Sequence, residues 1–195
     1  VAALAVVPLV FSLAACGSSS NGNGDSKKIT IGVVGNETAN QVLKDEAAKQ
    51  GITIEYSEFT DYAQPNPAVD AGDNDMNRFQ HIAYLANYNV SSGKDLQIVG
   101  STNIYPMAIF SKKHKKVDEI PQGGTIAIPN DSVNEARALL LLKAQNLVTF
   151  KSEVHTPTHN DIDTGKSKVK VTPVDAAQTV VSLDSVDAAV INNTF

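Results

Sequence analysis

Asn134 and Arg137 stand three residues apart near the start of the stretch 125–145, TIAIPNDSVNEARALLLLKAQ. On a helix that spacing puts both side chains on one face. Arg137 carries a fixed fork of N–H donors matched to a carboxylate. A helix start attracts anions through its free N–H groups and its dipole. Together these features suit non-covalent capture of the carboxylate of a small ligand. The stretch alone leaves open the blander alternative, an Arg paired with a surface acid. Aromatic residues cluster in two further places. Tyr62 closes Phe59-Thr60-Asp61-Tyr62 just past a strand, where ligands of open α/β sheets sit. Phe79, His81 and Tyr84 lie at a strand-to-helix turn and can converge as a small aromatic wall.

Other chemistry is poorly supported. His155 and His159 are four apart, but Pro157 between them excludes the regular helix of a two-His zinc face. His81 and His114 have no ligand-like neighbours at suitable spacing. Nucleophile elbows and phosphate-binding glycine loops are missing from the sequence. The expectation is a protein without catalytic residues, metal or cofactor. The basic run 112–116 has no interleaved aromatic and reads as a solvated turn. With a net charge of −5, a nucleic-acid partner is not expected.

The elements that must position these residues alternate between strand and helix. Strands are expected at 29–34, 52–59, 75–79, 96–100, 107–111, 168–173 and 187–191, with another weakly indicated at 148–151. Helices are expected at 39–50, stopped by Gly51, then in a short piece ending near Gly72, then around Tyr84 and Leu85. The central helix follows Pro129, with the side-chain oxygens of Asn130, Asp131 and Ser132 as cap acceptors and Ser132 and Glu135 in capping-box register. A last helix opens at Asp175. This alternation predicts an α/β fold with open, mainly parallel sheets flanked by helices.

The 195 residues suffice for one domain or two small lobes. Arg occurs only twice, at Arg78 and Arg137, against fourteen Lys. Residues 1–15 are uncharged and apolar, the pattern of a signal-peptide core too short to span a bilayer comfortably. They end in Leu13-Ala14-Ala15-Cys16, which resembles a bacterial lipobox, so cleavage before Cys16 and lipidation of its sulfur and new amine are expected. Residues 17–25 are Gly, Ser and Asn with one acid, a flexible tether reaching roughly 18 Å. The chain begins without Met or a basic segment and ends inside an apolar run. It reads as a piece cut at both ends.

Several stretches together resemble the methionine-binding lipoproteins of the NlpA/MetQ type. They are Phe59-Thr60-Asp61-Tyr62, Phe79-Gln80-His81 with Tyr84-Leu85, Pro106-Met107, Ser111-Lys112-Lys113, Ile126 to Asp131, Asn134-Glu135, Arg137 to Leu142 and Val186 to Asn192. The resemblance runs colinearly from about Lys28 to the end. It implies a two-lobed, type II periplasmic-binding-protein fold, with lobe 1 at 28–106 and lobe 2 at 107–195. It also implies an extracytoplasmic, membrane-anchored component of an ABC importer that hands L-methionine to a permease and its ATPase. Another hydrophobic amino acid, a methionine dipeptide, or a surface-interaction role on the same fold are the alternatives. By the same resemblance Arg137 holds the ligand carboxylate and Asn134 and Asn192 bond its carboxylate or amine. Tyr62, Phe79, His81 and Tyr84 then line the side-chain pocket. Two positions depart from the pattern: Arg78, expected to alter the pocket rim, and Ala83 before Tyr84.

Overall fold

The computed structural model describes residues 27–35, 37–192 and 195. The signal segment, Cys16 and the tether lie outside the described residues. Among those described, no helix is long and apolar enough to cross a membrane.

The first sheet is built from β1 (Lys27–Val34), β2 (Ile52–Phe59) and β3 (Met76–Arg78), in the order β2-β1-β3 and wholly parallel. Ile31, Gly32, Val33 and Val34 form a buried apolar run, as a central parallel strand requires. The connecting helix α1 (Thr38–Ala48) ends just before Gly51, whose φ of 73° turns the chain back into β2. Ile31, Val33, Ala47 and Ile54 make up the buried cluster of this half. Helix α2 (Pro65–Asp70) links β2 to β3, and α3 (Ile82–Ser92) follows β3. Proline at the start of α2 fits its first turn, and this is the short helix expected to end near Gly72.

The second sheet has the order β4-β7-β5-β6, from β4 (Ala108–Phe110), β5 (Thr125–Pro129), β6 (Lys170–Val174) and β7 (Ala188–Ile191). All its pairs are parallel except β4 with β7. Helix α4 (Ser132–Ala144) lays Ala138, Leu139 and Leu142 over Ile126, Ile128, Ala188 and Val190, all without solvent exposure. The short helix α5 (Gln178–Ser182) covers the opposite face near Ala127, Leu183 and Ala189. The architecture is α/β, with parallel sheets and flanking helices, as the strand–helix alternation predicts.

Some local expectations fail. Residues 96–100 form no strand. Val99 is 82% exposed there, and a β segment without a ladder partner has nothing to hold it. The weak strand at 148–151 reduces to a single bridge, Phe150 to Ile162. The capping box at α4 does not form. Asp131 is the cap, accepting the Asn134 N–H at 2.9 Å, while Glu135 turns to His159 and accepts its backbone N–H at 2.7 Å. The last helix starts at Gln178 rather than at Asp175, whose side chain instead accepts the Ala177 N–H.

Candidate functional site

The polar and aromatic residues singled out in the sequence meet where the carboxyl ends of the two sheets face each other. Tyr62 follows β2, Phe79 and His81 follow β3, Asn134 and Arg137 follow β5, and Asn192 follows β7. Parallel strands direct their loops to this end, which is why open α/β sheets bind there. Tyr62, Phe79, Gln80, His81, Tyr84, Asn134 and Asn192 enclose a cavity of about 30 Å³.

Asn134 is the hub. It is 1% exposed, and its amide is oriented from both sides. Its Nδ2 donates to both carboxylate oxygens of Asp131, at 3.1 and 2.9 Å. Its Oδ1 therefore faces the cavity and accepts from Arg137 Nη1 at 2.7 Å and from Asn192 Nδ2 at 3.1 Å. His81 supplies a third donor from the other sheet. Its Nδ1 accepts the Tyr84 N–H at 3.2 Å and so caps α3. That bond leaves the proton on Nε2, which lies 3.2 Å from Asn134 Oδ1. Burial holds the imidazole below its ordinary 6.5; the bond to Asn134 opposes this, and the Arg137 charge adds to the lowering.

Two groups keep unused capacity. Asn192 is 8% exposed, and its Oδ1 has no hydrogen-bond partner among the described residues. Arg137 has no carboxylate within ion-pair distance among the described residues, its contact being the neutral Asn134 amide. At the start of α4 the Asp131 carboxylate accepts one of the helix N–H groups, that of Asn134.

The aromatic residues do converge. Tyr62 packs on Phe79 at 5.9 Å and on Tyr84 at 6.1 Å between ring centroids, and Phe79 and Tyr84 meet edge to face at 5.8 Å. Burial, with nearby carboxylates adding to it, pushes the Tyr84 phenol up to about 12. It stays protonated and donates to the Tyr62 carbonyl at 3.1 Å. Beneath this wall lies an amide cluster that the sequence did not flag. Asn66, 1% exposed, exchanges hydrogen bonds with Gln80 and accepts from Asn77, so α2 is locked onto β3. Gln80 also reaches the cavity. Arg78, expected at the pocket rim, does not line it. On an extended strand neighbouring side chains point to opposite faces, so Phe79 faces the cavity and Arg78 turns to Glu37 and Asn40. Among the described residues, no group of three His, Cys, Asp or Glu is placed to hold a metal ion.

Comparison with known proteins gives a consistent picture. A methionine-binding lipoprotein of Vibrio cholerae, named as probable D-methionine-binding lipoprotein MetQ, is 40% identical over 187 residues, covering 94% of this chain and 68% of the relative. The substrate-binding protein of a methionine transporter from Streptococcus pneumoniae superposes with a TM-score of 0.80 at 41% identity, covering 86% of this chain and 69% of that one. A nutrient-binding protein from Burkholderia cenocepacia, solved bound to methionine, superposes with a TM-score of 0.80 at 39% identity, covering 85% and 72%. The chain spans 57 to 68% of the length of the first curated relatives it matches. The model of the NlpA lipoprotein family matches residues 29–195. That match spans most of the chain, and the chain belongs to the NlpA lipoprotein family.

Proposed function

We propose that this chain is the substrate-binding component of an ABC importer and that it holds methionine between two lobes. The observation that carries this is the Asn134 hub, flanked by an Arg137 guanidinium without an acid and an Asn192 oxygen without a donor among the described residues. A zwitterionic amino acid supplies both missing partners. Its carboxylate takes the remaining N–H groups of Arg137, and its ammonium donates to Asn192 Oδ1. Its side chain then lies against Tyr62, Phe79, His81 and Tyr84. A thioether gains about 0.3–1.5 kcal/mol from each such aromatic neighbour, which favours methionine over an aliphatic side chain of equal length.

The lobes divide near residue 106, with β1, β2 and β3 in one and β4 to β7 in the other. The cavity is lined from both halves, by Tyr62 and Phe79 on one side and Asn134 and Asn192 on the other. Entry therefore requires the lobes to part and close again, a hinge motion. Cys16, lipidated, anchors the protein at the extracytoplasmic face beside its permease and ATPase. The protein acts as a carrier: the described groups around the cavity are donors and acceptors suited to binding.

Calorimetric titration with D- and L-methionine, alongside leucine, norleucine and a methionine dipeptide, tests the reading. Saturable binding of a methionine enantiomer in preference to norleucine is expected. Norleucine binding as tightly as methionine would remove the role given to the aromatic wall. Binding of the dipeptide alone would move the ligand class.

A further inference from the structure

The two sheets are joined by residues 93–107, between α3 and β4, and the start of this connection is tied to α3 through Asn89, which bonds the Leu96 backbone. From residue 98 to 106, the hydrogen bonds found among the described residues come from two side chains, Asn103 and Tyr105. Both end on one cluster at the carboxyl end of the first sheet. Arg78 sits at its centre. Its Nη1 donates to Asn40 Oδ1 at 2.7 Å, and its Nη2 donates to Glu37 Oε2 at 2.9 Å and to Asn103 Oδ1 at 2.7 Å. The Tyr105 hydroxyl reaches the same Glu37 oxygen at 3.5 Å. The Arg78 and Glu37 side chains are 13% and 17% exposed, so this ion pair is little screened by solvent, whereas Asn103 is exposed.

We propose that Arg78 is a positioning residue for ligand binding: it brackets the inter-sheet connection onto the first sheet and so sets where the Asn134 hub lies relative to His81 and Tyr62. The guanidinium serves three acceptors in different directions, which a lysine ammonium on a flexible stem cannot match. Arg78 stands directly before Phe79 and three residues before His81. A shift of the bracket is therefore felt on both sides of the cavity, through β3 on one side and through the connection to β4 on the other. Loss of the bracket leaves the cavity residues intact but lowers the fraction of molecules whose two halves are in register. Apparent affinity falls by that fraction, about tenfold if a tenth remain competent.

The binding arm of the test rests on the methionine reading; the distance arm does not. Spin labels at Lys44→Cys on α1 and Gln145→Cys after α4, in a Cys16→Ser background of the full chain, report the separation of the halves by pulsed electron resonance. Arg78→Ala is expected to broaden the ligand-free distance distribution and to weaken methionine binding about tenfold, chiefly through faster dissociation. Asn103→Ala, an exposed change that leaves the sheet untouched, is expected to do the same to a lesser degree. The swap Glu37→Arg with Arg78→Glu is expected to recover part of both losses, which a purely local packing defect would not permit. An unchanged distance distribution in both Arg78→Ala and Asn103→Ala overturns the proposal. So does a broadened distribution with unchanged methionine affinity. If the parent protein binds no methionine, the methionine reading fails and the distance arm alone decides the bracket. If Arg78→Ala does not fold, Asn103→Ala and Glu37→Gln carry the test.

Discussion

A guanidinium beside a neutral amide is an unfinished interaction. Arg137 touches Asn134 Oδ1 at 2.7 Å with one nitrogen, leaving further N–H groups to find an anion. If that anion is the ligand carboxylate, Arg137→Ala strands a desolvated charge and is expected to cost about 2–5 kcal/mol of binding, read by titration calorimetry. Arg137→Lys keeps the charge without the fork and should fall between. Unchanged methionine affinity in Arg137→Ala would remove it from the site. His81 gives a prediction in pH. Its imidazole faces Asn134 and Arg137 on α4, with Asp131 nearby, and Tyr84 on its own helix. Burial lowers its proton affinity in the folded state, so between that lowered value and 6.5 the unfolded chain binds the extra proton. Stability from this group is complete above 6.5 and is lost as pH falls through the window. A second proton would also set an N–H on Nδ1 against the Tyr84 N–H. Urea unfolding from pH 4 to 8 should show a steeper loss on the acid side for the parent than for His81→Asn. Parallel pH profiles would exclude the assigned tautomer.

At the scale of elements, two positions decide how well the site is held. Asp131 caps α4 and also orients the Asn134 amide, so Asp131→Ala removes both restraints. Loss of the cap costs about 0.5–2 kcal/mol of stability by chemical unfolding. A drop in ligand affinity beyond that of a distant cap mutant is expected, because the amide of Asn134 is then free to flip. Gly32 holds β1 close to its neighbours: a Cβ there would lie 2.9 Å from Asn74 Nδ2 and 3.0 Å from a Phe59 ring carbon. Gly32→Ala therefore overpacks the first sheet and should destabilise it by about 1–3 kcal/mol, visible as a lower urea midpoint. These elements also show what a sequence reader can and cannot see. The strand at 52–59 was legible to the residue because its alternation and its Gly51 stop are local signals. Residues 96–100 carry the same apolar signal, but strand formation needs a partner that local pattern cannot report. Arg137, Tyr62 and the 79–84 cluster were legible from residue type and spacing, and Asn192 from its motif context. The Asn66, Asn77 and Gln80 cluster was not, since isolated amides have no periodicity and gain meaning only when α2 is folded against β3.

The two halves are unequal as folding units, and this bears on how the whole molecule responds to ligand. The first sheet's buried cluster is Ile31, Val33, Ala47 and Ile54. The second sheet's cluster runs from Ile120 through Leu139, Leu142 and Phe150 to Val190, with a further group on its other face. Hydrophobic stabilisation follows the apolar area removed from water, so among the described residues the first half carries the less stabilising cluster. Between the halves, among the described residues, His81 meets Asn134 at 3.2 Å and the Tyr62 ring packs on that of Phe195 at 5.0 Å. Without ligand, calorimetric unfolding should show two overlapping transitions, the lower belonging to the first sheet. A ligand that touches Arg137 and Asn192 on one side and Tyr62 and Phe79 on the other binds only when both halves are folded. At about 100 times its dissociation constant it adds about 2.7 kcal/mol, which for a chain of this size raises the midpoint by roughly 5–10 °C. Because that energy depends on the weaker half being folded, the lower transition should move most, and the two should merge as methionine is added. A shift confined to the upper transition would mean that the ligand sits on the second sheet alone and that the aromatic wall of the first plays no part in holding it.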